Sequence, residues 1–141
     1  MRIDETKITR TGNMFTKSEG VNLPNCPRFR AEAEKIVAML LKVPQPILDD
    51  LDEGGAGKLQ VRIIAEYWRY YDALDVILAQ PMTGSRYIAF REWLANKNTT
   101  PPENIRRACQ WLVETGIIIL KQAVRERSLE RAEGIRAGKG G

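Results

Sequence analysis

The chain has 141 residues, 43% of them hydrophobic and 28% charged, which suits one globular domain and excludes a disordered chain. It has no histidine, and its two cysteines, Cys26 and Cys109, form no CxxC or zinc-like spacing. The commonest general base and metal ligand are therefore missing, and two cysteines cannot supply the disulfide framework of a small secreted domain. Catalysis and cofactor or metal chemistry are not expected. The net charge of +4 divides into +3 over residues 1–30, −4 over 31–80, +2 over 81–120 and +3 over 121–141. Basic ends around an acidic middle suggest an anionic partner for the ends, although solvated basic surface produces the same pattern.

The first residues, MRIDETKITRTG, lack the apolar core of a signal peptide, and no apolar run approaches the ~20 residues that span a bilayer. An intracellular (cytoplasmic) protein with no membrane partner is expected. Residues 1–27 are polar and end at Pro24, Asn25 and Pro27, which reads as a flexible basic arm. A single helical domain is expected over 28–135. Residues 28–42 place Phe29, Ala33, Ile36, Val37, Leu40 and Leu41 at three- and four-residue spacing, which predicts an amphipathic helix. Pro44 and Pro46 stop it, because proline lacks an amide donor and disfavours helix in the residue before it. A short helical turn follows over Ile47 to Leu51. Residues 52–57 read as a flexible connector, with Asp49, Asp50, Asp52 and Glu53 in an exposed acidic loop.

Two motifs in this region fail on inspection. Gly54 to Lys58 faintly echoes a phosphate-binding loop, but Leu59 stands where Ser or Thr must reach the magnesium. A calcium-loop register starting at Asp50 puts Val61 where a bidentate glutamate is required.

Residues 58–80 predict one long helix. Arg62, Glu66, Arg69 and Asp72 form a narrow polar stripe, with Glu66 placed to pair with both arginines, and most other positions are apolar. Such a helix is either central to a bundle or shared with a second subunit, so a homo-oligomer is expected. Pro81 to Gly84 breaks the chain, and Ser85 is positioned to cap a helix over 86–96. Thr100-Pro101-Pro102-Glu103 reads as a capping box with Thr100 at the N-cap, starting a helix that stops at Gly116. Residues 117–124 are ambiguous between strand and helix. A last helix and a flexible Gly/Lys tail over 136–141 complete the expected fold. It is all-α, with about five helices, a C-terminal helix-turn-helix-like hairpin and room for one short β element.

The hairpin over 85–120 resembles a helix-turn-helix or winged-helix unit, whose second helix enters the major groove. That resemblance implies duplex DNA as partner. It makes Asn104, Arg106, Arg107 and Gln110 candidates for base edges and phosphates, and Arg86, Arg91, Lys97 and Lys121 candidates for backbone contacts. The order of basic arm, helical body and basic tail is similar in outline to small helical DNA-binding proteins of phages and plasmids, including phage terminase small subunits. This similarity implies an oligomer that passes DNA to a larger protein and assigns no residues. The alternative is a protein–protein interaction module or assembly subunit that docks through the apolar helix at 58–80. Trp68, Trp93 and Trp111, at helical spacing, read as core more readily than as base-stacking platforms.

Overall fold

A computed structural model describes residues 1–10 and 20–121; the final helix and the tail expected beyond 121 lie outside the described residues. The described chain is predominantly helical. Six helices run in order: α1 (Arg30–Leu40), α2 (Gln45–Leu51), α3 (Ala56–Tyr71), α4 (Leu74–Leu78), α5 (Gly84–Ala95) and α6 (Pro102–Glu114). Four two-residue strands accompany them: β1 (Arg2–Ile3), β2 (Thr9–Arg10), β3 (Val21–Asn22) and β4 (Ile118–Ile119).

The core is built by α1, α3 and α6, which pack against one another. α1 contributes Ala33, Ile36, Val37, Met39 and Leu40; α3 contributes Leu59, Ile63 and Tyr67; α6 contributes Ile105, Ala108, Cys109 and Leu112. The buried residues of α3 recur every four positions, so one stripe of that helix faces inward while Val61 and Tyr70 remain exposed. The covering on most of its circumference expected for this helix is therefore absent in the described chain. α6 runs back along α3: the indole N–H of Trp68 meets the Thr100 carbonyl at 2.9 Å at one end, and Lys121 reaches Glu53 at 2.6 Å at the other.

The N-terminal residues correct the expectation of a flexible arm. Over its described parts, 1–10 and 20–27, this segment belongs to the domain. β1 pairs antiparallel with β4, with Arg2 opposite Ile119 and Ile3 opposite Ile118, and β2 pairs antiparallel with β3. Met1, Val21, Leu23 and Cys26 are buried in the core. A few apolar residues scattered among polar ones anchor the segment, because each lands on the bundle. The ambiguous residues after Gly116 resolve at Ile118–Ile119 as strand, since β1 supplies the ladder partner.

The acidic connector is corrected as well. Asp52 is fully buried, while Asp49, Asp50 and Glu53 stay exposed. One Asp52 oxygen accepts from the Met1 amino group at 3.1 Å and the other from the Lys121 amide at 2.8 Å. Gly54 and Gly55, at φ 91° and 113°, make the tight turn into α3 that residues with a Cβ rarely enter. Arg62 donates to the carbonyls of Asp50, Leu51 and Glu53 at 3.0, 3.0 and 2.6 Å, satisfying the open end of α2 and its turn rather than pairing with Glu66.

The helix expected over 58–80 breaks at Asp72 and Ala73, and Ala73 takes a left-handed φ of 59°. No glycine or proline marks the break. Asp72 is held from outside: its carboxylate accepts from the Thr100 amide at 3.0 Å and its carbonyl from the Trp93 indole at 2.6 Å. It is thus withdrawn from the polar stripe, where only Glu66 and Arg69 pair, at 3.2 Å.

Two helix starts are also displaced. Ser85 lies inside α5, whose N-cap is Thr83, and Pro101 rather than Thr100 caps α6 without a side-chain bond. The capping box fails because Thr100's backbone is held by Trp68 and Asp72 and Glu103 turns toward two arginines. Gly116 ends the α6 region with a φ of 79°, as its position predicts.

Candidate functional site

The polar residues of α6 form a closed network. Glu103 accepts from Arg106 at 2.5 and 2.9 Å and from Arg107 at 2.9 Å; Arg106 reaches Gln110 at 3.4 Å, and Gln110 reaches Glu114 at 3.0 Å. The spacings of three and four residues place these groups on one helix face, where such pairs meet. Hydrogen bonds first from Arg106 and then from Arg107 hold the Glu103 carboxyl at a pKa of about 2. The Arg106 guanidinium is correspondingly held above its ordinary range, chiefly by Glu103. The two cations and two carboxylates cancel. Asn104 is half-buried beside the buried Ile105.

The other predicted contacts do not converge on this face. Lys121 lies beyond the far end of α6, a thirteen-residue helix spanning about 20 Å. Its ammonium is bonded to Glu53 and lies 3.8 Å from Asp52. Arg86 and Arg91 are on α5, with Lys97 in the turn after it, and Arg91 stands 3.5 Å from Glu92. Among the described residues Arg86 and Lys97 have no ion-pair partner. The helix-turn-helix order of α5, turn and α6 is present, but the main neighbour of α5 is α4.

α5 is attached to the rest of the domain largely through Trp93. Its ring meets Trp68 edge-on at 5.0 Å, and its N–H bonds the Asp72 carbonyl. Thr99 Oγ1 donates to the Trp93 carbonyl at 2.7 Å, closing the end of the helix. Among the described residues nothing else seats α5 deeply, and none of its twelve residues is buried. Together α4, α5 and the connection between them expose Val76, Leu78, Met82, Tyr87, Ile88 and Leu94; Met82 is 89% exposed and Tyr87 65%. Ile77, Leu78, Met82, Thr83, Arg86, Tyr87 and Phe90 line an open groove of about 410 Å³. A groove walled by apolar side chains with one convergent charge has the general form of a binding site.

Of the α5 residues the sequence reads Trp93 as core; the structure leaves Trp93 half-buried, with Tyr87 and Leu94 exposed. The signal available was the distribution of apolar residues in α5, which lie around the helix and form no single inward stripe.

Several other features are chemically inert. The Cys109 thiol is pushed up to about 12 by burial, and burial likewise raises the Cys26 thiol, so neither provides a ready thiolate. Among the described residues no group of three or more acidic, cysteine or histidine side chains is placed to hold a metal, and no helix is long and apolar enough to cross a membrane. A mixed hollow of about 290 Å³ is lined by polar residues such as Gln45, Asp49 and Lys121 and by Met1, Ile119 and Leu120, but Gln45 already donates to the Met1 carbonyl and to Asp49. Compared with protein-family models, curated proteins and solved structures, the chain has no significant match in any of the three.

Proposed function

We propose that this protein is a non-enzymatic helical interaction module that docks a partner protein on the face formed by α4 and α5. One observation carries the reading: α5 spans twelve residues, buries none of them, and with α4 and Met82 lines the 410 Å³ groove through Tyr87 and Phe90. A groove lined by apolar side chains beside an isolated charge favours association with another protein. The docking surface keeps only the α4 end of the one expected over 58–80, because the apolar stripe of α3 is already used inside the domain.

The experiment places a photocrosslinking residue at Tyr87 and, separately, at Gln110 of the full chain in living cells. Docking on α4 and α5 predicts a crosslinked protein from position 87, lost with Met82→Asp, and none from 110. A nucleic-acid adduct from 110 alone, with no protein from 87, excludes this function.

Duplex DNA is the second reading. Arg86, Arg91 and Lys97 lie along α5 and its following turn with one acidic residue, Glu92, among them. Phosphate binding there predicts an affinity falling with salt at a log–log slope of about −0.9 for each contact. Anisotropy with a labelled duplex measures that slope, and no binding at low salt removes this second reading.

A further inference from the structure

We infer that the occupant of the α4–α5 groove is an acidic amphipathic helix of another protein, whose carboxylate pairs with Arg86. The inference rests on the docking function above and specifies its partner. The groove is lined by one cation and no carboxylate, and among the described residues Arg86 has no ion-pair partner. A guanidinium cannot shed its proton, so an apolar ligand covering it must bring a countercharge or leave a desolvated charge unpaired. Charge complementarity thus favours Asp or Glu in the occupant.

The same charge argues against a second copy of this chain. A two-fold seat centred on the groove would bring two Arg86 side chains together. The acidic residues of α4 and α5 are already engaged, Asp75 by Arg69 at 2.7 Å and Glu92 beside Arg91. A phosphate backbone fits poorly as well, because the remaining lining is Ile77, Leu78, Met82, Tyr87 and Phe90 with one threonine. A helix carrying apolar residues at positions i, i+3 and i+4 matches a shallow trough between two helices. The unbranched thioether of Met82 can adjust to its side chains.

The test is selection of a displayed library of helical peptides on the full chain. The library has leucines at i, i+3, i+4 and i+7 and randomised flanking positions. Selected peptides should be rich in Asp or Glu at one flank and bind Arg86→Ala at least ten-fold more weakly. They should also be displaced by Tyr87→Asp, and selection on Arg86→Glu should return Lys or Arg at the same flank. Peptides that need Tyr87 but show no acidic preference and ignore Arg86 would overturn this inference while leaving the docking function standing. Failure to recover any peptide sensitive to Tyr87→Asp would overturn both. A dimer in sedimentation that Met82→Asp dissociates would make the second copy the occupant and overturn the acidic helix.

Discussion

The backbone amide of Lys121 donates to the buried carboxylate of Asp52 at 2.8 Å, across 69 positions of sequence. The second oxygen of that carboxylate faces the Met1 amino group at 3.1 Å, which also donates to the Leu48 carbonyl at 3.3 Å. One side chain therefore joins the first residue, the turn before α3 and the segment after β4. The small β1–β4 ladder, two residue pairs long, is too short to hold these parts by itself.

Asp52→Ala should cost about 3–5 kcal/mol in urea unfolding, the usual result of removing one partner from a buried charged pair. Asp52→Asn retains an acceptor for the Lys121 amide and should cost less. Losses below about 1 kcal/mol for the alanine variant would show that Asp52 does not organise this junction.

Trp93 is predicted to be the fastener of α5. Trp93→Ala removes the edge-on contact with Trp68 and the bond to Asp72, and it should cost about 1–3 kcal/mol, below the ~3–5 of a fully buried aromatic. Hydrogen exchange should accelerate over 84–95 and remain slow over 102–114, because α6 is packed independently on α1 and α3. Equal acceleration in both helices would contradict this arrangement.

What could be read from the chain follows the range of the interactions involved. α1 and α6 are legible because local periodicity determines their inward faces, and Gly116 marks a stop through its own backbone freedom. The N-terminal strands are only two residues long, and Arg2 finds its ladder partner at Ile119, so no local pattern announces them. The break after Tyr71 is invisible for a similar reason: Asp72 is held by Trp93 and Thr100, residues distant in sequence. Asp52 looked like one of four exposed acids, since its burial depends on Met1 and Lys121 arriving together. On the candidate site, residue type identified the cations, but the cancellation of Arg106 and Arg107 by Glu103 depends on rotamers. Trp93 reads as core by type and is only half-buried, because composition alone does not reveal which apolar residues the core has room for.

Glu103 provides a prediction with two readouts. Its folded pKa of about 2 lies below the ordinary value of 4.5, so its favourable pairing is present above about 4.5 and is lost as pH falls through about 2. A carboxyl-carbon NMR titration should give a midpoint near 2, and a midpoint near 4.5 would mean that the arginines leave it in solution. Glu103→Gln releases Arg106 and Arg107 from this carboxylate. If α6 met DNA, that variant would bind more tightly and with a steeper salt dependence; the docking function predicts no change in peptide affinity.

Stability should also fall in alkali, and the order of titrations identifies the groups responsible. Burial pushes the Cys109 thiol from an ordinary value near 9 up to about 12, and burial pushes the Tyr67 and Tyr71 hydroxyls from near 10 to about 12. In each case the unfolded chain releases its proton first, while the folded chain retains it. The stabilising contribution is therefore complete below the unfolded value and disappears as pH rises through the folded one. Cys109, joined by Cys26, begins this loss near pH 9 and the tyrosines join near pH 10. A fully buried group such as Cys109 contributes a slope approaching about 1.4 kcal/mol per pH unit between its two values. Urea unfolding at pH 7, 9, 10 and 11 should show a level region followed by a progressive decline. Cys109→Ala lowers stability at neutral pH by leaving a small void, but it should flatten the decline between pH 9 and 10 and leave the later tyrosine phase in place. An unchanged slope in that variant would assign the alkaline loss to other groups.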